Sequence, residues 1–161
     1  MTNLHRIAGE AVAAAVGRGV TVATAESLTA GMVAAVLADT PGASAMLQGG
    51  VVSYNNTVKR DVLGVPQDLL DAVGSVDEAV AAAMAEGARR VCGADLAVST
   101  TGVAGPDAHD GKAVGTVFVG VATADGVQTF PYNFQGTRAE IRGLACAAAL
   151  ERLQEALAAL S

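Results

Sequence analysis

The sequence predicts an α/β fold in which a β-sheet lies between two layers of helices. Short runs of β-branched and small apolar residues alternate along the chain with stretches of helical apolar spacing, the order expected of strands and helices that pack in layers. Two strand patterns flank Ala124-Asp125-Gly126 and predict a hairpin. We therefore expect a three-layer α/β/α sandwich with a mixed, mostly parallel sheet, a C-terminal hairpin and a final helix.

The first half of the chain alternates between the two patterns. Leu4, Ile7 and Ala11 recur at helical spacing, and glycines follow the first helix, whereas the next run is β-branched. The predicted elements are, in order, a helix over Leu4–Val16, a strand over Val20–Ala25, a helix over Ser27–Ala38, a strand over Gly49–Tyr54, and short helices over Asn55–Leu63 and Gln67–Val73.

Two capping-box motifs mark helix starts in the second half. Ser75 with Glu78, and Thr137 with Glu140, have the spacing at which a hydroxyl and a carboxylate cap a helix reciprocally. The predicted elements are a helix from Ser75 to about Val91, strands over Ala94–Ser99, Val114–Thr123 and Val127–Phe134, and a long helix from Thr137 to about Leu160.

Length and composition narrow the class of protein. The 161 residues favour one domain, spanning residues 1–161. Hydrophobic residues make up 52% and charged residues 16%, which excludes an intrinsically disordered chain. No apolar run reaches the roughly 18 residues of a membrane span, and Met1–Val20 lacks the pattern of a secretory signal. We expect a cytoplasmic protein without membrane contact.

Charge and cysteine content bear on two further kinds of ligand, nucleic acids and metal ions. The net charge is −6, without a cluster of Lys and Arg, so the surface would repel nucleic-acid phosphates. Cys92 and Cys146 lie in apolar helical runs with no second Cys or His at ligand spacing nearby. Buried reduced thiols are the simpler interpretation, and a disulfide or metal pair is the alternative.

Residues that could act in catalysis follow the first two predicted strands. Ser27 stands at a strand-to-helix turn, where it is either a helix cap or a nucleophile beside the free N–H groups of the helix. Lys59 lies just past the second strand, where it is either solvated or, if desolvated, a neutral base for a serine. Tyr54 could hydrogen-bond to either residue or belong to the core.

The third predicted strand runs into Ser99–Pro106, a segment rich in glycine and small residues. Such residues let backbone amides approach an anion. The continuation to Lys112 is not a P-loop, because five residues separate Gly105 from Gly111, Ala113 replaces the Mg²⁺-binding hydroxyl residue, and a strand follows. His109 in this loop is expected to be an exposed loop residue.

Two arginines stand near the start of the last predicted helix. Arg138 and Arg142 are four residues apart and share a helix face, at the end where the helix dipole prefers acidic side chains. Either an anionic group such as a phosphate or an ion pair, for example with Glu140, accounts for them. Together with Ser27 and Lys59, they suggest acyl transfer on an anionic substrate.

As a set, these segments resemble the CinA carboxy-terminal domain family, the nicotinamide-nucleotide amidases. The resemblance covers about Leu4 to Leu157. The matching segments are Ala25–Gly31, Gly50–Tyr54 with Asn56 and Lys59, Ser99–Pro106, Lys112 with Val114–Val117, and Arg138 with Arg142. A molybdopterin-binding-like domain that often accompanies this domain is not part of the sequence, so the stand-alone form is expected.

The resemblance implies hydrolysis of nicotinamide mononucleotide to nicotinate mononucleotide and ammonia, a step of pyridine-nucleotide salvage, with no metal or organic cofactor. Ser27 would be the nucleophile, Lys59 its general base, and Tyr54 and Thr101 would orient or stabilise the reacting groups. The mononucleotide would be the small-molecule partner, and a homo-oligomer is expected because family members are often oligomeric. The implied substrate-binding residues are Thr29, Gly31, Asn56, Gly102, Gly105, Arg138 and Arg142.

The sequence also departs from the family pattern. Leu28 stands where the family usually has Cys, and Ala30 where it has Gly. The segment Asp107–Gly111 is one residue shorter than usual, and Ala113 replaces a Pro, which puts the shape of this loop in question. Two alternatives therefore stay open: a nucleotide-binding module without turnover, and an amidase for another small amide.

Overall fold

A computed structural model describes residues 2–160, which form a five-stranded sheet between two layers of helices. The helices are α1 (Asn3–Arg18), α2 (Met32–Ala38), α3 (Asn56–Asp61), α4 (Gln67–Val73), α5 (Glu78–Cys92) and α6 (Arg138–Ala158). The strands are β1 (Val22–Glu26), β2 (Leu47–Val52), β3 (Leu96–Gly102), β4 (Thr116–Thr123) and β5 (Gly126–Asn133). A short 3-10 helix over Ala43–Ala45 precedes β2.

The sheet has the strand order β2-β1-β3-β4-β5. β1 pairs in parallel with β2 and with β3, and β4 pairs antiparallel with β3 and with β5. Four of the five strands therefore run in one direction, and only β4 opposes them. The predicted mixed, mostly parallel sheet with a C-terminal hairpin and a final helix is confirmed.

Successive side chains of a strand face opposite helix layers, because strand side chains alternate between the two faces of a sheet. On β1, Val22 packs with residues of α1, α2 and α6, whereas Ala23 and Ala25 pack with residues of α5. On β3, the Ser99 hydroxyl donates a 2.6 Å hydrogen bond to the backbone carbonyl of Ala81 in α5. Small residues at this contact let the helix lie close to the sheet.

The prediction that the second helix begins at Ser27 is wrong. Residues 27–31 form a turn, and Gly31, with φ 99°, is the N-cap of α2. The buried carboxylate of Glu26 accepts hydrogen bonds of 2.8 and 3.1 Å from amides in the first turn of α2. A glutamate at the end of β1 therefore accepts from the first helix amides, the role predicted for Ser27 as a helix cap.

Only one of the two predicted capping boxes is present. Thr137 and Glu140 cap α6 reciprocally, at 3.0 and 3.2 Å. The box predicted at Ser75 is wrong, because the side chain of Asp77 caps α5. Ser75 instead hydrogen-bonds to Asp110, a residue far along the chain.

Both cysteines are free thiols. Burial raises the pKa of the Cys146 thiol to about 12, so this side chain stays protonated and unreactive. Within residues 2–160, no group of His, Cys, Asp and Glu side chains has an arrangement that could hold a metal ion. In the same range, every helix is too short or too polar to cross a bilayer.

Candidate active site

The carboxyl ends of β1, β2 and β3 meet at one edge of the sheet, where a cavity of about 480 Å³ opens. Glu26 pairs in register with Val52 of β2 and with Thr100 of β3, so the segments that follow these strands leave the sheet side by side. This is the edge where α/β sheets commonly bind ligands. The cavity is lined by Ser27, Leu28, Tyr54, Asn55, Asn56, Ser75, Gly102, Val103, Ala104, Gly105, Pro106, Asp107, Ala108, His109 and Arg138.

The side chain of Lys59 lies directly beneath Ser27. Its Nζ is 3.0 Å from the Ser27 Oγ, 2.8 Å from the backbone oxygen of Ser53 and 3.2 Å from that of Tyr54. Carbonyl oxygens only accept hydrogen bonds, so a neutral amine directs its two N–H bonds to them. Its lone pair then remains for the hydroxyl proton of Ser27, which is the geometry of a general base and its nucleophile.

Helix geometry explains how Lys59 reaches Ser27. Asn55 caps α3 by accepting a 2.9 Å hydrogen bond from the amide of Thr57, which starts the helix just after β2. Side chains of a helix point towards its N-terminus. The lysine on α3 is therefore directed back to the ends of β2 and β1.

Burial gives Lys59 an unusual proton affinity. Its side chain is fully covered, with 1% of the residue exposed, and none of the ion pairs formed within residues 2–160 includes it. Desolvation by burial lowers the pKa of the ammonium from 10.5 to about 8, because the charged form loses its hydration. A substantial fraction of neutral amine is thus present slightly above neutral pH.

A buried hydrogen-bonded chain holds the turn that carries Ser27. The Thr29 hydroxyl donates to Glu26 at 2.6 Å and lies 2.7 Å from the Thr100 hydroxyl. Since Thr29 uses its proton on the carboxylate, it accepts the proton of Thr100. The Ser27 amide donates to the Thr100 carbonyl at 3.0 Å, so β1, β3 and α2 together fix the serine.

Arg138 is far from Ser27 along the chain but lines the same cavity. Its guanidinium donates one hydrogen bond to the Gly105 carbonyl and one, of 2.7 Å, to the hydroxyl of Tyr54. Tyr54 is 56% exposed. These contacts place a positive charge beside the glycine-rich loop, where an anionic ligand group could accept from it.

The predicted site residues divide into two groups. Six line the cavity, namely Ser27, Tyr54, Asn56, Gly102, Gly105 and Arg138. Lys59 lies behind Ser27, and the remaining four do not line the cavity, namely Thr29, Gly31, Thr101 and Arg142. The Thr101 hydroxyl is buried and donates to the Ser75 carbonyl at 2.6 Å.

Arg142 occupies a different position from Arg138, although both stand on α6. Its guanidinium donates to the backbone carbonyls of Leu28 and Thr29, at 2.8 and 3.3 Å. It therefore braces the turn that carries Ser27 from behind the cavity. The ion pair with Glu140 that the sequence left open is formed by neither arginine within residues 2–160.

Sequence reasoning missed two residues with structural importance at the site. The signal for Glu26 is a carboxylate at the end of a buried strand that is followed by a helix, an arrangement typical of helix capping. Asp110 gave no local signal, because its partner Ser75 is 35 residues away in sequence.

Comparisons with known proteins agree with this architecture. The family model for the CinA C-terminal domain matches residues 4–157. A "CinA-like protein" from Anaeromyxobacter dehalogenans is 49% identical over 147 residues, which are 91% of this chain and 36% of the relative. A "CinA-like protein" from Frankia casuarinae is 46% identical over 145 residues, 90% of this chain and 34% of the relative. The chain spans about a third of the length of these curated relatives.

Solved structures match over nearly the whole chain. A CinA superfamily protein from Klebsiella pneumoniae 700603 superposes with a TM-score of 0.95 at 32% identity, covering 99% of this chain and all of that one. A competence/damage inducible protein from Agrobacterium tumefaciens superposes with a TM-score of 0.93 at 35% identity, covering 98% of this chain and 97% of that one.

Proposed function

Since the chain belongs to the CinA C-terminal domain family, we propose that it is a serine amidase that converts nicotinamide mononucleotide to nicotinate mononucleotide and ammonia. The observation that supports this proposal most directly is the 3.0 Å contact between the buried Lys59 amine and the Ser27 hydroxyl at the cavity wall. The proposed amidase domain comprises residues 1–161.

In the acylation step, neutral Lys59 takes the hydroxyl proton of Ser27 while Oγ attacks the carboxamide carbon. The tetrahedral intermediate collapses when the lysine returns that proton to the amide nitrogen, which leaves as ammonia. In the second step, Lys59 deprotonates a water molecule that attacks the acyl ester. Nicotinate mononucleotide is released, and the proton passes back to Ser27.

Backbone amides are the donors available to the developing oxyanion. Leu28 in the turn 27–31 and Ala104 and Gly105 in the glycine-rich segment line the cavity. Their N–H groups donate to no other group within residues 2–160, so they would supply this stabilisation. The first amides of α2 are not available, because Glu26 already accepts from them. The oxyanion donors of this proposal therefore belong to the loops rather than to the helix terminus.

Recognition of the mononucleotide would use the exposed side of the cavity. Arg138 would pair with the substrate phosphate, because a planar guanidinium presents a fork of N–H donors that matches phosphate oxygens. Asn56, which also lines the cavity, offers an amide that can both donate and accept. Few aromatic residues are present in the chain, so the pyridine ring would be held by backbone and polar groups.

The test is ammonia release from nicotinamide mononucleotide by the purified protein. The proposal is supported if the wild type turns over the substrate and if Ser27→Ala lowers kcat by about 10⁴-fold or more. Ser44→Ala is the matched control, because Ser44 is exposed and does not line the cavity. Unchanged turnover in Ser27→Ala would exclude Ser27 as nucleophile.

Two other outcomes identify the alternatives. Tight calorimetric binding of the mononucleotide without product would indicate a nucleotide-binding module. A higher kcat/KM on a different member of a panel of small amides would retain serine amidase chemistry and replace the substrate.

A further inference from the structure

A short hairpin brings His109 to the cavity. The backbones of His109 and Lys112 are paired by two hydrogen bonds of 3.1 and 2.8 Å. Asp110 and Gly111 form the turn between them, with φ values of 50° and 74°. Two successive positive φ angles define the tight hairpin turn that Asp-Gly favours. The loop that is short by comparison with the family pattern is therefore closed by a defined turn, which we term the 109–112 hairpin.

The side chain of Asp110 ties this hairpin to the segment that precedes α5. Its Oδ2 accepts hydrogen bonds from the amide and the hydroxyl of Ser75, at 3.0 and 3.2 Å. The Ser75 carbonyl in turn accepts from Thr101 on β3. The bond from the Ser75 amide lowers the pKa of the Asp110 carboxyl, so the tether is charged at neutral pH.

The backbone at Gly74 is adapted to this tether. Gly74 has φ 77°, and a Cβ placed there would lie 2.7 Å from the Asp110 Oδ2. A side chain at this position would meet both an unfavourable backbone conformation and the carboxylate. The segment therefore admits the Asp110 carboxylate only because residue 74 is a glycine.

The Asp110 carboxylate also contacts the His109 ring. Nε2 lies 3.2 Å from the Asp110 Oδ2, while the side chain is 62% exposed and lines the same cavity as Arg138. With Nε2 turned to the carboxylate, Nδ1 is the nitrogen left to meet a ligand.

We propose that His109 is a specificity-determining residue that binds the phosphate monoester of a nucleotide through Nδ1, and that Asp110 is the positioning residue that holds it there. This inference deepens the proposed function and rests on it for the identity of the nucleotide. The phosphate would thus meet two side chains of the chain, Arg138 from α6 and His109 from the 109–112 hairpin.

The experiment compares two ligands that differ only in the phosphate. Calorimetry on Ser27→Ala protein, which prevents turnover, measures binding of nicotinamide mononucleotide and of nicotinamide riboside. Adding His109→Ala should weaken mononucleotide binding about tenfold, the loss of one charge-assisted hydrogen bond, and riboside binding by less than twofold. His5→Ala is the matched control, because His5 pairs with Asp39 on a distant surface, and it should change neither affinity.

Variants of Asp110 separate positioning from folding. Asp110→Ala should weaken mononucleotide binding about fivefold, and adding His109→Ala to it should cause little further loss, because the carboxylate acts through the ring. Asp110→Asn keeps an oxygen acceptor for Ser75 and should restore much of the affinity. Equal weakening of both ligands by Asp110→Ala would overturn the positioning role.

The remaining outcomes distinguish this inference from the proposed function. If the mononucleotide binds and His109→Ala changes neither affinity, the role of His109 is overturned while the amidase proposal stands. If His109→Ala selectively weakens the mononucleotide but the wild type releases no ammonia, the amidase proposal fails and the phosphate contact is supported. If the mononucleotide does not bind, the inference is overturned.

Discussion

The two walls of the cavity differ in how their polar groups are held. The buried wall consists of Ser27 together with Glu26 and Lys59, which lie behind it outside the cavity lining; Glu26, Ser27 and Lys59 are 1%, 9% and 1% exposed. The exposed wall consists of Tyr54, Arg138 and the 109–112 hairpin, which remain near solvent. The buried wall belongs to the parallel half of the sheet, where strands covered on both faces provide rigid backbone acceptors.

This difference indicates that the two walls have different roles, one in the chemical step and one in substrate binding. Removing a lysine from water shifts its pKa towards neutrality, which a base requires and which an exposed lysine does not undergo. A group that attracts a charged ligand keeps its own charge at lower cost when it stays partly hydrated. We therefore expect changes in the buried wall to affect kcat and changes in the exposed wall to affect KM.

The largest effect is expected for Lys59→Met. This change removes the base and should lower kcat for ammonia release by about 10³-fold or more, with little change in KM, since proton transfer supplies about that factor. Arg60→Met on the same helix is the control, because Arg60 is exposed and pairs with Asp61. A kcat within tenfold of the wild type would remove Lys59 from the proposed mechanism.

The pH profile tests the same residue without changing the fold. Burial lowers the Lys59 pKa to about 8, so the neutral form, which is the active one, becomes dominant as the pH rises through that value. Below it, kcat/KM should rise about tenfold per pH unit and then level off. A flat profile between pH 6 and 9, with chemistry shown to be rate-limiting, contradicts this expectation.

Glu26→Gln tests whether the buried wall depends on its capping carboxylate. The glutamine amide would direct N–H groups at amides of α2 that now donate to the carboxylate. We expect kcat to fall by about 30-fold, and the free energy of unfolding to fall by about 2 kcal/mol, the cost of an unsatisfied buried group. Denaturant unfolding and initial rates measure both, with the exposed Glu86→Gln as control.

Arg138→Ala should act mainly on substrate binding. We expect KM for the mononucleotide to rise about 20-fold with kcat within threefold, because one charged donor to the phosphate is lost. Steady-state kinetics with the mononucleotide and the riboside measure this effect. A fall in kcat that is equal for both substrates would assign Arg138 to the chemical step instead.

The smallest effect is expected for Arg142→Ala, which contrasts with that of Arg138→Ala on the same helix. This arginine supports the carbonyls of Leu28 and Thr29 rather than the cavity. Its loss should lower kcat about fivefold by loosening the Ser27 turn, with KM nearly unchanged. An increase in KM comparable with that of Arg138→Ala would show that Arg142 also acts on substrate binding and does not only support the Ser27 turn.

Local sequence patterns determined the elements and their order. The capping box of Thr137 and Glu140 and the helix Gln67–Val73 were predicted correctly because every group involved lies within one or two turns. The alternation of strands and helices, followed by two adjacent strands, was sufficient to predict the layered mixed sheet. Apolar periodicity reports which face is buried and needs no partner from elsewhere in the chain.

Tertiary structure decided which polar groups meet. Ser75 was expected to cap a helix, but Asp110 binds it from 35 residues away. Glu26 replaced Ser27 at the start of α2 because its buried carboxylate lies within hydrogen-bond distance of the first-turn amides of that helix. The pairing of Ser27 with Lys59 depends on the parallel register of β1 and β2, and the low pKa of the lysine depends on everything that covers it. Sequence patterns can indicate such side chains as candidates. Their desolvation and their contacts with residues far along the chain arise only in the folded protein.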